Sequence, residues 1–248
     1  MTVLRGRALE GLPEVRAGDD LAALLAAARG GEGFGPGEVL VVAHKVVSKA
    51  EGRVVALSGI EPSPRALDVA AAHDKDPRHV EVVLRETAEL VRERPGVLIC
   101  RTHHGFVCAN AGVDGSNAGA EGHVVLLPRD PDASARALRA ALPGRPAVVV
   151  ADSFGRAWRH GQCDVAIGVA GLAPLEDWRG RSDADGRELK ATWIAVADQA
   201  AAAADLARAG KDGRTPAVVL QGLERWVTDD DGPGAAALLR PKDEDLFA

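Results

Sequence analysis

Long apolar runs are missing from this sequence. Nowhere do the roughly 20 consecutive apolar residues of a membrane-spanning helix occur, and the opening Met1-Thr2-Val3-Leu4-Arg5-Gly6-Arg7 has no signal-type stretch. The expectation is a cytoplasmic protein with no membrane partner. An excess of positive charge is also missing: 30 Lys and Arg face 36 Asp and Glu, a net charge of -6, so no basic field draws in nucleic acid. An anionic ligand must be held by local groups. Cysteine is scarce, and Cys100, Cys108 and Cys163 are odd in number without C-x-x-C spacing, which excludes a disulfide framework and a zinc ribbon and leaves reduced, partly buried thiols. Tyr is absent and Met occurs once, marks of a biased composition that exclude nothing. Neither G-x-x-x-x-G-K-[ST] nor a G-x-G-x-x-G after a strand is present, so any phosphate site is neither a Walker loop nor a Rossmann turn.

What is present is 248 residues, 46% of them apolar, enough for one large domain over 1–248 or two small intertwined subdomains. No repeat, linker or clear boundary divides them. Apolar periodicity after Asp20 predicts a helix to Arg29, with Asp20 placed to cap its first turn. Val39 to Val42 reads as a buried strand leading into His44-Lys45-Val46-Val47-Ser48-Lys49. A helix is expected from Val80 to Arg92, then strands at Val97 to Cys100, Phe106 to Ala109 and Val124 to Leu127 in one sheet. Asp130-Pro131-Asp132 opens a helix to Leu142, and Ala147 to Ala151 is a strand ending at Asp152-Ser153. An Ala-rich helix spans Ile194 to Arg208, and Ala217 to Leu220 returns as a strand. The fold class is mixed α and β (α+β), with sheets covered by helices.

The chemistry-bearing residues cluster in three places. Ala109 to Asn117 is a small-residue loop with two carboxamides and Asp114, where oxygen atoms can approach a cation or phosphate closely. It is no EF-hand, because counting from Asp114 puts Ala118 and Val125 where ligands are required. Asx turns are the plain alternative. Asp152-Ser153-Phe154-Gly155-Arg156 ends a strand, where an Asp and a hydroxyl suit a hard cation, with Arg156 or Arg159 for charge; a cap or tight turn is the rival. Lys45 and Lys49 offer point charges for a phosphate. Neighbouring His103 and His104 point to opposite faces and can hardly share an ion. Asp183-Ala184-Asp185-Gly186 reads as a turn or substrate loop, and Asp229-Asp230-Asp231 as a solvated run.

Gly11-Leu12-Pro13-Glu14-Val15, Lys45 to Arg53, Thr102 to Asp114, Asp152 to Arg156, and Gly161-Gln162 with Ala166-Ile167-Gly168 together resemble the coenzyme F-420-0:L-glutamate ligases, also called F-420 gamma-glutamyl ligases. The resemblance spans nearly the whole chain. It implies a homodimeric, GTP-dependent ligase with two divalent cations, manganese or magnesium, and potassium as a further candidate. Its partners are GTP, L-glutamate and coenzyme F-420-0. By the same resemblance Leu12, Pro13, Glu14, Val15, His44, Lys49 and Asn117 contact GTP; Asp114, Asp152 and Ser153 match metal ligands; and Asp114, Asp152 and Lys49 serve catalysis.

Three departures stand out. His44 occupies a position where the family carries Ser, and Cys163 one where Thr is usual. A further GTP and metal loop aligns loosely with Gly210-Lys211-Asp212-Gly213. The chain is also expected to lack the flavin-reductase-like second half of the mycobacterial fusion. The implied chemistry is phosphorylation of the acceptor carboxylate and amide formation with glutamate, with gamma-linked additions to follow. The rivals are a related ligase for another acceptor or amino acid, and a non-catalytic GTP-binding relative.

Overall fold

The computed structural model describes residues 3–245 except 209 and 211. In chain order the elements are β1 Arg5–Ala8, α1 Leu21–Arg29, β2 Val39–Ala43, α2 His44–Ala50, β3 Val54–Ala56, α3 Pro64–His73, α4 Pro77–Arg85, β4 Thr87–Arg94 and β5 Val97–Thr102. They continue with β6 Val107–Ala109, β7 His123–Val125, α5 Pro131–Ala141, β8 Ala147–Arg156, β9 Arg159–Ala170, β10 Leu175–Asp177, β11 Trp193–Ala195, α6 Val196–Ala207 and β12 Ala217–Gln221. The mixed α and β class follows directly.

A five-stranded sheet of order β1-β12-β2-β8-β9 forms the centre. β2 and β8 run parallel with Val39 opposite Ala147 and Ala43 opposite Ala151, while the other pairings in that sheet are antiparallel. Val39, Leu40, Val41 and Val42 are completely buried because helices cover both faces. Each such side chain contributes about 1.5–3 kcal/mol of burial. Leu40, Val42, Val148 and Val150 pack with α1, α2 and α5, whereas Val39, Val41, Val149 and Ala151 pack against the Ala197, Ala200, Ala201 and Ala204 stripe of α6.

Between α2 and α5 the chain leaves this sheet and builds a separate core. Leu57, Ala66, Val69, Val80, Val83, Leu98, Cys100, Val113 and Val124 fill it, under the β3–β7 ribbon and the β4-β5-β6 sheet. Cys100 and Cys108 sit opposite each other across β5 and β6, both buried as free thiols, and Cys163 is half-buried.

Several expected elements change. The helix foreseen from Val80 to Arg92 is α4, which stops at Arg85; its second half becomes β4, paired with β5. The third strand foreseen in one sheet, Val124 to Leu127, instead contributes His123–Val125 to pairing with β3. The Ala-rich helix begins at Val196, because Trp193–Ala195 pairs with β10. The strand from Ala147 runs on to Arg156 as one arm of a long hairpin with β9. The caps behave as read: Asp20 accepts from Ala23 N–H and Asp130 from Ala133 N–H.

Helix α5 lies so close to β9 that a Cβ on Gly168 would fall 2.2 Å from the Pro131 carbonyl oxygen. Gly168 does not have a left-handed backbone, so the constraint is contact alone. Gly168→Ala is expected to destabilise the protein by about 1–3 kcal/mol, read as a lower urea midpoint at an unchanged m-value.

Candidate active site

The parallel pairing of β2 with β8 places the two strands' C-terminal ends side by side. One residue past the Ala43–Ala151 pair, the chain delivers His44 from the first turn of α2 and Asp152 from β8. Their side chains meet, with His44 Nε2 3.2 Å from Asp152 Oδ1. His44 is buried, and its Nδ1 lies 3.4 Å from Ser48 Oγ. A hydrogen on Nε2 with the Ser48 hydroxyl donating to Nδ1 satisfies both contacts. The imidazole thus occupies a structural slot against Asp152. Asp152 Oδ1 also accepts from the Ser153 N–H at 2.8 Å.

The next residue of α2, Lys45, reaches the other carboxylate. Its ammonium donates to Asp114 Oδ2 at 2.7 Å, to the Ser116 carbonyl at 2.8 Å and to Ser116 Oγ at 2.6 Å. Asp114 and Asp152 therefore both meet the first turn of α2, through adjacent residues. Asp114 is further held by the Ser116 N–H and hydroxyl. Burial pushes its pKa up, but the Lys45 and Ser116 donors outweigh that and leave it below the ordinary 3.8. The backbone before it is unusual: Asn110, Ala111 and Gly112 have φ of 51°, 52° and 74° in succession. A Cβ at Gly112 would meet the Leu127 side chain at 2.6 Å. Asn110 Oδ1 is buried without a hydrogen-bond partner among the described residues.

Lys49, one turn on, is buried and pairs with Glu14. A cavity of about 400 Å³ lies there, lined by Glu14, Val15, Lys49, Gly52, Ala118 and Gly119 among others. Leu12 packs on the core and Val15 is buried, leaving Pro13 and Glu14 exposed. Asn117 is exposed with φ 54°, next to the cavity wall at Ala118.

Ser153 points elsewhere. Alternation along β8 sends Asp152 to the α2 side, with Val150 and Phe154, and Ser153 to the α6 side, with Ala151. There its hydroxyl donates to Asp164 Oδ1 at 2.5 Å, and Arg208 holds the other oxygen of Asp164. The sequence reading gave no role to Asp164 or Arg208, and Ser116 entered it only as a member of the loop from Ala109 to Asn117. Arg156 turns to the His160 carbonyl within the hairpin. His103 and His104 go to the carbonyls of Arg85 and Arg129, and Asp183 caps its own turn. Of the loop at Gly210-Lys211-Asp212-Gly213, Lys211 lies outside the described residues.

The donor set can be tested against a metal. The three oxygen atoms around Lys45 already enclose a cation, and oxygen-only ligation is what a hard divalent ion takes. The Asp152 carboxylate and Ser153 hydroxyl are of the same type. Among the described residues no group of three or more His, Cys, Asp or Glu side chains gathers to hold an ion. An ion here would draw on single carboxylates, hydroxyls, backbone and ligand oxygens, and the residues present fit that.

Because its folded pKa is depressed, Asp114 contributes stability that is full above 3.8 and is lost as pH falls through the lower folded value. Lys45→Met should raise the Asp114 pKa toward the ordinary carboxylate range and shrink that acid-labile contribution, read by carboxyl-carbon NMR and by urea midpoints between about pH 5 and pH 2.

Comparison with known proteins identifies the family. The family model described as F420-0:Gamma-glutamyl ligase matches residues 11–222. The protein named Coenzyme F420:L-glutamate ligase of Methanothermobacter thermautotrophicus is 45% identical over 96% of this chain and 96% of its own length. Its namesake in Methanopyrus kandleri is 46% identical over 94% of this chain and 93% of its own, and that in Halobacterium salinarum 43% over 96% and 93%. Matches of this extent leave one assignment: the chain belongs to the F420-0:gamma-glutamyl ligase family.

Proposed function

We propose that this chain joins L-glutamate to the terminal carboxylate of coenzyme F-420-0 with GTP as the co-substrate, and that it adds further gamma-linked glutamates by the same chemistry. Relatives that share 43–46% of their residues with it nearly end to end carry the name of that ligase. The geometric observation that carries the reading is the meeting of Asp114 and Asp152 at adjacent residues of α2, with two lysines on the same helix.

A free carboxylate is a poor acyl donor because oxide would have to leave. Transfer of the terminal phosphoryl group of GTP to that carboxylate makes an acyl phosphate, with GDP departing. The glutamate amine then attacks the acyl carbon, the amide forms, and phosphate leaves with the bond's electron pair. Divalent cations, when bound, neutralise the charge that spreads over the phosphoryl oxygens. Asp114 and Asp152 would hold one by charge on the α2 side of β8, and Ser153, on the α6 side, would hold a separate one by its hydroxyl oxygen. Lys49, released from Glu14, supplies a buried positive charge to the phosphates beside the cavity of Glu14, Val15 and Ala118. Glu14 and Val15 bound that cavity for the nucleotide, with Leu12 and Pro13 before them and Asn117 beside it. A homodimer and a potassium requirement belong to the same proposal.

Incubation with F-420-0, GTP, Mn2+ and L-glutamate should yield GDP and a coenzyme heavier by glutamyl residues, read by mass spectrometry. GDP release without a heavier coenzyme, or only with another acceptor, would remove F-420-0 as the substrate. Asp114→Asn and Asp152→Asn should each bring GDP release to background while the thermal unfolding transition stays cooperative.

A further inference from the structure

Among the described residues the most deeply buried carboxylate is Asp164, 1% exposed. It sits on β9 directly opposite Ser153 of β8, on the face covered by α6. Both its oxygens are engaged: Oδ1 accepts from the Ser153 hydroxyl at 2.5 Å and Oδ2 from Arg208 Nη1 at the end of α6. Arg208 is anchored in turn, since Thr215 Oγ1 donates to its carbonyl at 2.9 Å.

A buried ion pair is weak evidence of a stabilising role, because apolar residues of similar volume often serve the fold as well or better. What this pair does chemically is fix one hydroxyl. A serine has one proton to donate and two lone pairs. With the proton drawn to Asp164 in a short, charge-assisted contact, Ser153 Oγ can meet anything else only as an electron-pair donor.

We propose that Asp164, held by Arg208, is a positioning residue that polarises Ser153, so that the hydroxyl presents lone pairs to a divalent cation beside β8 and turns no proton toward it. The inference rests on the metal-dependent ligase reading above and adds to it a residue that touches neither metal nor substrate. Asp164→Asn reverses the arrangement. Arginine is donor-only, so the new carboxamide turns its oxygen to Arg208 and its NH2 to Ser153. The serine must then accept from it and aim its own proton outward, where a cation is repelled.

The test is titration of Mn2+ in the presence of GDP, with free Mn2+ read by electron paramagnetic resonance. It compares the unsubstituted protein, Asp164→Asn, Ser153→Ala and the double variant. Each single variant is expected to weaken one class of Mn2+ site by roughly 10–100-fold, and the double variant to be no weaker than Ser153→Ala alone, since both act through one hydroxyl. Unchanged Mn2+ affinity in Asp164→Asn, or losses that multiply in the double variant, overturns the inference. Where Asp164→Asn alone does not fold, Asp164→Ala with Arg208→Met removes both interior charges and the acceptor that holds the Ser153 proton, and is expected to weaken the same class of Mn2+ site. An unsubstituted protein that binds no Mn2+ alongside GDP defeats the metal reading itself, which separates the two failures.

Discussion

The meeting of His44 with Asp152, on which the candidate site is built, hangs on one backbone pairing. β2 and β8 are parallel and in register through Ala43 and Ala151, so both chains leave the sheet at the same level. Crevices at the carboxyl ends of parallel strands commonly collect ligand groups, because loops and helix starts there are free to vary while the strands are held. Here one strand continues into a helix bearing His44, Lys45 and Lys49, and the other into a hairpin bearing Asp152 and Ser153. A register slip of one residue would turn Asp152 to the α6 side and separate it from His44.

The second acidic group arrives by another route. Asp114 bridges Val125 through two backbone hydrogen bonds and follows a run of left-handed residues that ends at Gly112, where a Cβ would meet the Leu127 side chain. Non-glycine residues in that conformation cost of order 1–3 kcal/mol each and persist only where packing overrules them. Asn110 and Ala111 are two such residues, at the edge of the second core. The site is therefore assembled from the rim of two cores, with Lys45 tying them together.

How much of this could be read from the residues varied with how local the physics was. The β2 strand was legible because four apolar residues in a row bury on both faces, and the α1 and α5 starts because an Asp cap and a Pro act within one turn. β4 was misread as helix because it is a polar edge strand with two register shifts, so its mostly exposed side chains carry no period of two. The oxygen-rich ends at Asp114 and Asp152 were visible as unusual residue types at strand ends. Asp164 was not, since it meets Ser153 only through the β8–β9 register, which two irregularities shift. Nor were the lysine partners, because Lys45 reaches Asp114 across 69 residues of chain.

The lysines on α2 are each matched by a carboxylate, Lys45 by Asp114 and Lys49 by Glu14. The two lysines of α2 are thus electrically balanced in the resting protein. A lone anion that takes Lys49 strands Glu14, and a lone cation that takes Asp114 strands Lys45, so each newcomer alone leaves an unmatched charge behind. When both enter together, each released group finds an opposite charge on the other newcomer. On the proposed ligase reading, electroneutrality of the resting protein would favour a metal–nucleotide chelate over either component, a linkage written into two ion pairs on one short helix.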